Sequence, residues 1–178
     1  TLAAEASGHP QAIAMPRLTA GPTRDGAFYA QAWPFAQRLW TALGARDFGR
    51  RCGVLQLAVD RAEDARQAVI AESGVLPQSM LRAVSAAEAC DIAGCTVATS
   101  ALHFPQAGTI VPRALCAGVA EGAEVILGAD VAALEHGDDG WHLRGRDGEI
   151  ACADVVVLAN AGGVRAFAPG LPLQGRRG

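Results

Sequence analysis

Five cysteines, four histidines and one run of small residues are the features of this sequence from which chemistry would have to be built. The cysteines are Cys52, Cys90, Cys95, Cys116 and Cys152. They are odd in number, scattered and without a C-x-x-C pair. They read as small buried thiols of a reducing compartment, not as a disulfide framework. His9, His103, His136 and His142 show no metal spacing, so neither a zinc nor an iron site is expected. No histidine–aspartate pair with an activated nucleophile stands out. G-x-G-x-x-G and the P-loop are both absent. What remains is Ala159-Asn160-Ala161-Gly162-Gly163, which follows Asp154 and Val155-Val156-Val157-Leu158. The continuous β-branched run reads as a central parallel strand buried on both faces. A small-residue turn at the carboxyl end of such a strand is where open α/β sheets hold ligands, because a flat ring system must approach the backbone closely. An ordinary loop after a core strand is the other reading of the same residues. On the first reading Val156 cannot accept a charge, whereas Val164, past the glycine turn, can.

Other elements must position that turn. The spacing of Phe28, Phe35, Leu39 and Leu43 predicts a helix over residues 27–43 with those side chains as its apolar face. Pro34 lies inside it and is expected to kink or break it. Residues 53–59 read as a strand. Residues 61–72 read as a helix ended by Gly74. Ser85-Ala86-Ala87-Glu88 is a capping box opening a short helix that Gly94 closes. Residues 101–104 form a short strand, and Pro112 starts a helix that reaches Gly122. Residues 124–127 read as a buried strand. Three further strands, 131–136, 141–143 and 149–152, are separated by Asp139-Gly140 and Arg146-Asp147-Gly148, and predict an antiparallel meander.

Composition narrows the classes. The chain has 178 residues, 51% hydrophobic and 19% charged, with a mean hydropathy of +0.20. It therefore has apolar surface enough to fold, and no run approaches the roughly 20 apolar residues of a membrane span. A cytoplasmic protein is expected. The formal charge of −3 argues against a dominant phosphate-binding surface. All 15 basic residues are arginines. Arg50-Arg51 and Arg176-Arg177 are the pairs that would meet phosphates, although paired surface arginines are usually just solvated. The chain opens at Thr1 inside what reads as a loop and ends at Arg176-Arg177-Gly178 without a terminating element, so it reads as a segment of something longer.

Residues 112–163 thus spell helix, strand, meander, buried strand and glycine turn, which is half of a dinucleotide-binding domain. The fold class expected is α/β: a partial Rossmann-like dinucleotide-binding domain with a β-meander, plus part of a mixed-sheet domain. Five stretches in order carry a family resemblance. They are Ala6-Ser7-Gly8-His9-Pro10-Gln11-Ala12, the strand Cys52-Gly53-Val54-Leu55-Gln56-Leu57-Ala58, and Phe104-Pro105-Gln106-Ala107-Gly108 with Pro112-Arg113-Ala114-Leu115-Cys116. The last two are Asp154 to Asn160 and Leu171-Pro172-Leu173 with Arg177-Gly178. Together they resemble FAD-dependent oxidoreductases of the D-amino-acid oxidase and glycine oxidase type. Most closely they resemble the oxidoreductase half of bifunctional enzymes that modify the tRNA wobble uridine.

The resemblance implies FAD as cofactor. It implies that Ser7, Gly8, Gln11 and Ala12 pass near the flavin and its diphosphate, that Val131 meets the adenine through its backbone, and that Ala159, Asn160, Ala161 and Gly162 line the flavin side. His103 and Gln106 would face the substrate pocket. Residues 1–24 and 111–163 would belong to the FAD-binding domain, 25–110 to the substrate domain, and 164–178 to the return toward it. The activity implied is oxidation of a secondary amine, removing the carboxymethyl group from 5-carboxymethylaminomethyl(-2-thio)uridine in tRNA, with a methyltransferase domain fused upstream. A small-molecule amine or amino-acid oxidase, and a remnant that only binds or packs, are the alternatives. No catalytic residue is named. The sequence departs from the family where His9 replaces Asn and where Ala12, Ala107 and Ala161 replace Gly, and Pro34 enters a helix that the family keeps continuous.

Overall fold

A computed structural model describes residues 2–3, 5–44 and 48–173. The chain divides into two compact units, Leu2–Glu124 and Val125–Gly178. The order in the first begins with a 3-10 turn, Glu5–Gly8, and β1, Ala12–Ala14. It continues with α1, Arg24–Ala42; β2, Gly49–Arg50; β3, Val54–Leu57; α2, Arg61–Glu72; and β4, Arg82–Val84. It closes with α3, Ala86–Ala93; β5, Ala101–Phe104; β6, Gly108–Ile110; and α4, Pro112–Val119. Local signals place most of the helices. Asp60 caps α2 by accepting from the Glu63 N–H at 2.7 Å. The Ser85–Glu88 box is reciprocal, and Gly94 ends α3 in the left-handed region at φ 67°.

Two three-stranded antiparallel sheets organise this unit, in the orders β1-β6-β2 and β3-β5-β4. Leu102 and Phe104 of the central strand β5 are almost fully buried. They pack with Trp33 of α1, Ile70 of α2, and Leu18, Leu76 and Leu81. The apolar face of α1 differs from the one expected. Trp33, Gln37 and Trp40 are buried, whereas Phe28 and Phe35 are more than half exposed and Leu39 is exposed. The two indoles, larger than any side chain of the predicted stripe, set which face meets the sheet. The helix also runs through Pro34 as one element.

The second unit holds β7, Ala133–Gly137; β8, Gly140–Gly145; and β9, Gly148–Ala153, the antiparallel meander expected, followed by a 3-10 helix, Ala161–Ala166. Two predicted strands are absent. Residues 124–127 and 155–158 pair with nothing, and Val125, Ile126, Leu127, Val155, Val157 and Leu158 are exposed. Apolar β-branched runs make a buried strand only when neighbouring strands satisfy their N–H and C=O groups. Among the described residues no such neighbour lies beside them, and every strand pair is antiparallel. The α/β reading therefore stands as a mixed chain with antiparallel sheets. Val164, expected to accept a charge because it lies past the glycine turn, is buried in the 3-10 helix instead. No helix among the described residues is long and apolar enough to cross a membrane.

Candidate cofactor site

In the second unit the chain after β9 runs extended past Asp154 and turns at Asn160. The Gly163 N–H donates to the Asn160 carbonyl at 3.0 Å, and Phe167 N–H donates to Val164 O at 3.0 Å. This folds residues 156–160 and Phe167 back over the meander. The Ala132 N–H donates to Arg144 O at 2.8 Å, which extends the β7–β8 ladder by one step and fixes Val131 beside it. A cavity of about 360 Å³ lies between them, lined chiefly by Val131, Leu134, Leu143, Val156 to Asn160 and Phe167. Three of the sequence-predicted site residues, Val131, Ala159 and Asn160, thus share one cavity. Ala161 follows at φ 49°, a left-handed conformation unusual for any residue with a Cβ. It stands where an Asn-Gly turn would carry its glycine. Gly162 has open space around it.

The walls are apolar side chains and backbone, with Asp130 the sole ionisable group among the lining residues. Such a site can hold a flat ring by contact and by backbone hydrogen bonds, and it supplies no acid–base pair. It fits one portion of a dinucleotide cofactor. Leu134, Leu143 and Phe167 were not named from sequence. Leu134 and Leu143 face each other across β7–β8, so they share one face of the meander, and alternation along the strands was the signal available.

Ser7, Gly8, Gln11 and Ala12 belong to the other unit. Ser7 and Gly8 lie in the 3-10 turn packed on α4, and Ala12 pairs with Ile110 in β1–β6. A Cβ on Gly8 would come within 3.2 Å of the Ala3 carbonyl and 3.8 Å of an Arg113 guanidinium nitrogen. The strand pairing therefore brings two sequence motifs together, the one around Ser7-Gly8 and the one around Pro112-Arg113. Gly108 has a structural reason of its own, since a Cβ there would collide with the Arg50 carbonyl across the sheet. Ala107 is wholly buried.

The polar candidates of this unit serve its packing. His103 lies between Leu55 and Arg82 on β5, with a buried Nδ1 that has no partner, and a Cβ on Gly53 would come within 3.1 Å of its Nε2. Burial first, and the Arg82 charge second, hold its imidazole below the ordinary histidine range. The Gln106 carbonyl accepts from Gln37 Nε2 at 3.0 Å, and its own Nε2 donates to Ser79 O at 3.4 Å. Neither residue lines the cavity of about 750 Å³ beside β3, whose walls include Arg17, Gln56, Glu63 and Arg66. The carboxylate there is committed. Its 2.6 Å pair with Arg66 leads the causes that hold Glu63 down at about 2, so it is no general base at neutral pH. Arg51 is likewise taken, donating to Gln37 O at 3.0 Å and Thr41 Oγ1 at 2.7 Å above the Trp40 ring. Arg50 is exposed. Arg176, Arg177 and Gly178 lie outside the described residues.

A family model described as FAD dependent oxidoreductase matches residues 1–178. The chain belongs to the FAD-dependent oxidoreductase family. Among curated relatives, the tRNA 5-methylaminomethyl-2-thiouridine biosynthesis bifunctional protein MnmC of Pseudomonas paraeruginosa is 34% identical over 181 residues. That alignment covers 99% of this chain and 27% of the relative. The proteins of the same name from Methylobacillus flagellatus and Pseudomonas putida strain W619 are 34% and 36% identical, covering 99% of this chain and 28% and 27% of the relatives. This FAD-dependent oxidoreductase chain thus spans about a quarter of the length of the relatives it matches.

Proposed function

We propose that the chain is part of an FAD-dependent oxidoreductase that oxidises a secondary amine, removing the carboxymethyl group from 5-carboxymethylaminomethyl(-2-thio)uridine at the tRNA wobble position. The observation that carries this reading is the meander cavity, where Val131 from one side and Ala159-Asn160 from the other meet around a largely apolar space. Alignment over 99% of the chain with relatives named for tRNA modification supports the substrate. A bound flavin would supply a hydride acceptor for the amine's α-carbon, after which water hydrolyses the imine to an aminomethyl group and glyoxylate.

The chain's own residues position and enclose. Val131, Ala159 and Asn160 form the meander-side wall, Ala161 and Gly162 continue the turn beside it, and Leu134, Leu143 and Phe167 exclude water. Ser7, Gly8, Gln11 and Ala12, in the other unit, are assigned to the flavin and its diphosphate by the family resemblance. A methyltransferase domain on the same polypeptide fits the word bifunctional in the relatives' name.

The test uses the whole polypeptide that carries this chain. Glyoxylate release is measured with tRNA bearing the carboxymethylaminomethyl group, and separately with sarcosine and glycine. Release from the tRNA, with the matching aminomethyl nucleoside in its digest, is the expected result. Release from the small amines alone refutes the tRNA substrate and leaves an amine oxidase of the same family.

A further inference from the structure

The face of the meander opposite the cavity carries a cluster that the cofactor reading does not use. His142 on β8 stands directly across from Cys152 on β9, so their side chains project from the same face. The tight turn between β7 and β8 adds Asp139, whose Oδ1 is 2.9 Å from His142 Nε2. Cys152 Sγ lies 3.9 Å from the Asp139 carbonyl. The carboxylate oxygen, imidazole nitrogen and thiol sulfur all fall within 4.8 Å of one another. The far side of the ring is also fixed, because His142 Nδ1 meets Glu149 Oε2 at 2.8 Å. A carboxylate on one ring nitrogen, aiming the other at a set of donors, is the arrangement that orients metal-ligating histidines.

We propose that Asp139, His142 and Cys152 form a site for one transition-metal dication of the zinc class, with Glu149 as the positioning residue for His142. The mixed oxygen, nitrogen and sulfur donors suit zinc or cobalt, and the thiol disfavours calcium and magnesium, which take oxygen ligands. Three protein ligands leave the fourth tetrahedral position to water. Access is open, since Asp139 and Cys152 are both exposed. Binding drives the Cys152 thiol proton and the proton shared between Asp139 and His142 into solvent, so affinity rises with pH. Among the described residues, Arg144, which pairs with Glu135 at 2.5 Å and reaches Glu149 at 3.9 Å, is the one cation in contact with this network.

The test is a titration of the untagged, chelator-stripped 178-residue chain with cobalt(II), followed by zinc. One equivalent of cobalt should produce a thiolate-to-cobalt charge-transfer band, and zinc should abolish it by displacement. Cys152→Ser should lose the band, while Cys95→Ser, at an exposed cysteine elsewhere, should keep it. Glu149→Gln should keep the band but weaken affinity by roughly 10–100-fold. Circular dichroism verifies that each variant is folded. Absence of the band in the unmodified chain, or its survival in Cys152→Ser, overturns the site. Unchanged affinity in Glu149→Gln overturns the positioning role.

Discussion

Ala161 offers a test of the turn beside the cavity that separates backbone geometry from side-chain bulk. Its φ of 49° puts a Cβ into the left-handed region, which costs an L-residue about 1–2 kcal/mol. Glycine there relieves the strain but frees the unfolded chain, at about 0.5–1 kcal/mol. Ala161→Gly should therefore range from neutral to about 1.5 kcal/mol more stable. Ala161→Val keeps the side chain small but puts a β-branched residue where such residues are outliers, and should lose about 1–3 kcal/mol. At about 2–4 °C per kcal/mol for a chain of this size, the valine variant should melt about 2–12 °C below the parent, with the glycine variant at or above it. Thermal unfolding followed by circular dichroism reads the order directly. Valine and glycine variants that melt together would mean that residue 161 is not left-handed, and the reasoning about this turn would fall. A bulkier variant, Ala161→Leu, placed in the flavin-loaded whole protein, asks whether the turn meets the cofactor. If it does, Ala161→Leu should cut flavin affinity about tenfold to hundredfold, since overpacking costs about 1–3 kcal/mol.

Three further outcomes are expected. The 178-residue chain by itself should not retain FAD, because it lacks the G-x-G-x-x-G turn whose helix N-terminus takes a pyrophosphate; a stoichiometric yellow chromophore after purification would contradict this. Val164→Asp should cost about 3 kcal/mol or more, since a Val buried to 8% exposure is replaced by an unpaired carboxylate, whereas Val157→Asp, at 81% exposure, should stay within about 0.5 kcal/mol; equal denaturant midpoints would refute the contrast. The Asp139–His142–Glu149 network should give the meander a two-sided pH profile. The bond to Asp139 first, then that to Glu149, raises the His142 pKa, so its contribution is full below the ordinary histidine range and fades as pH climbs through the raised value. The bond to His142 lowers the Asp139 pKa, so that contribution is present above the ordinary aspartate range and fades as pH falls through the lowered value. Melting temperature in chelator-containing buffer should peak between these limits, and His142→Gln should remove the decline on the alkaline side; an unchanged profile would count against the network.

The features legible in the sequence are those written within a few neighbouring residues. The Ser85–Glu88 box, the left-handed Gly94 and the glycine turns of the meander all signal locally, and the structure carries each of them. The strands β1, β2, β4 and β6 were not legible. Each has two or three residues, too few for alternation to show, and each exists because a distant partner completes its hydrogen bonds. The face of α1 was misjudged because heptad spacing of Phe28 and Phe35 looked like a core stripe, while burial followed Trp33 and Trp40. Val155 to Leu158 has strand composition, yet composition supplies no hydrogen-bond partner. The Ala159-Asn160 turn was legible as a small-residue run after an apolar one and Val131 by family resemblance, but only the structure brings the three to one cavity. Leu134 and Leu143 needed the register of β7 against β8.

The sheet order β1-β6-β2 has a consequence for the time course of folding. Its middle strand is the last of the three to be synthesised: β6 pairs Ile110 with Ala12 near the beginning of the unit and with Gly49 in its midst. During translation β1 and β2 must wait, unpaired, until nearly the whole unit has left the ribosome. Loop closure over such separations is entropically slow. The Ser7–Gln11 segment is tethered through β1, so its final placement belongs to the late phase, after α2, α3 and the β3-β5-β4 sheet have begun to bury Leu102. Mutations at Gly108, where a Cβ meets the Arg50 backbone, would therefore act on the closing step of assembly, and should hasten unfolding more than they slow folding.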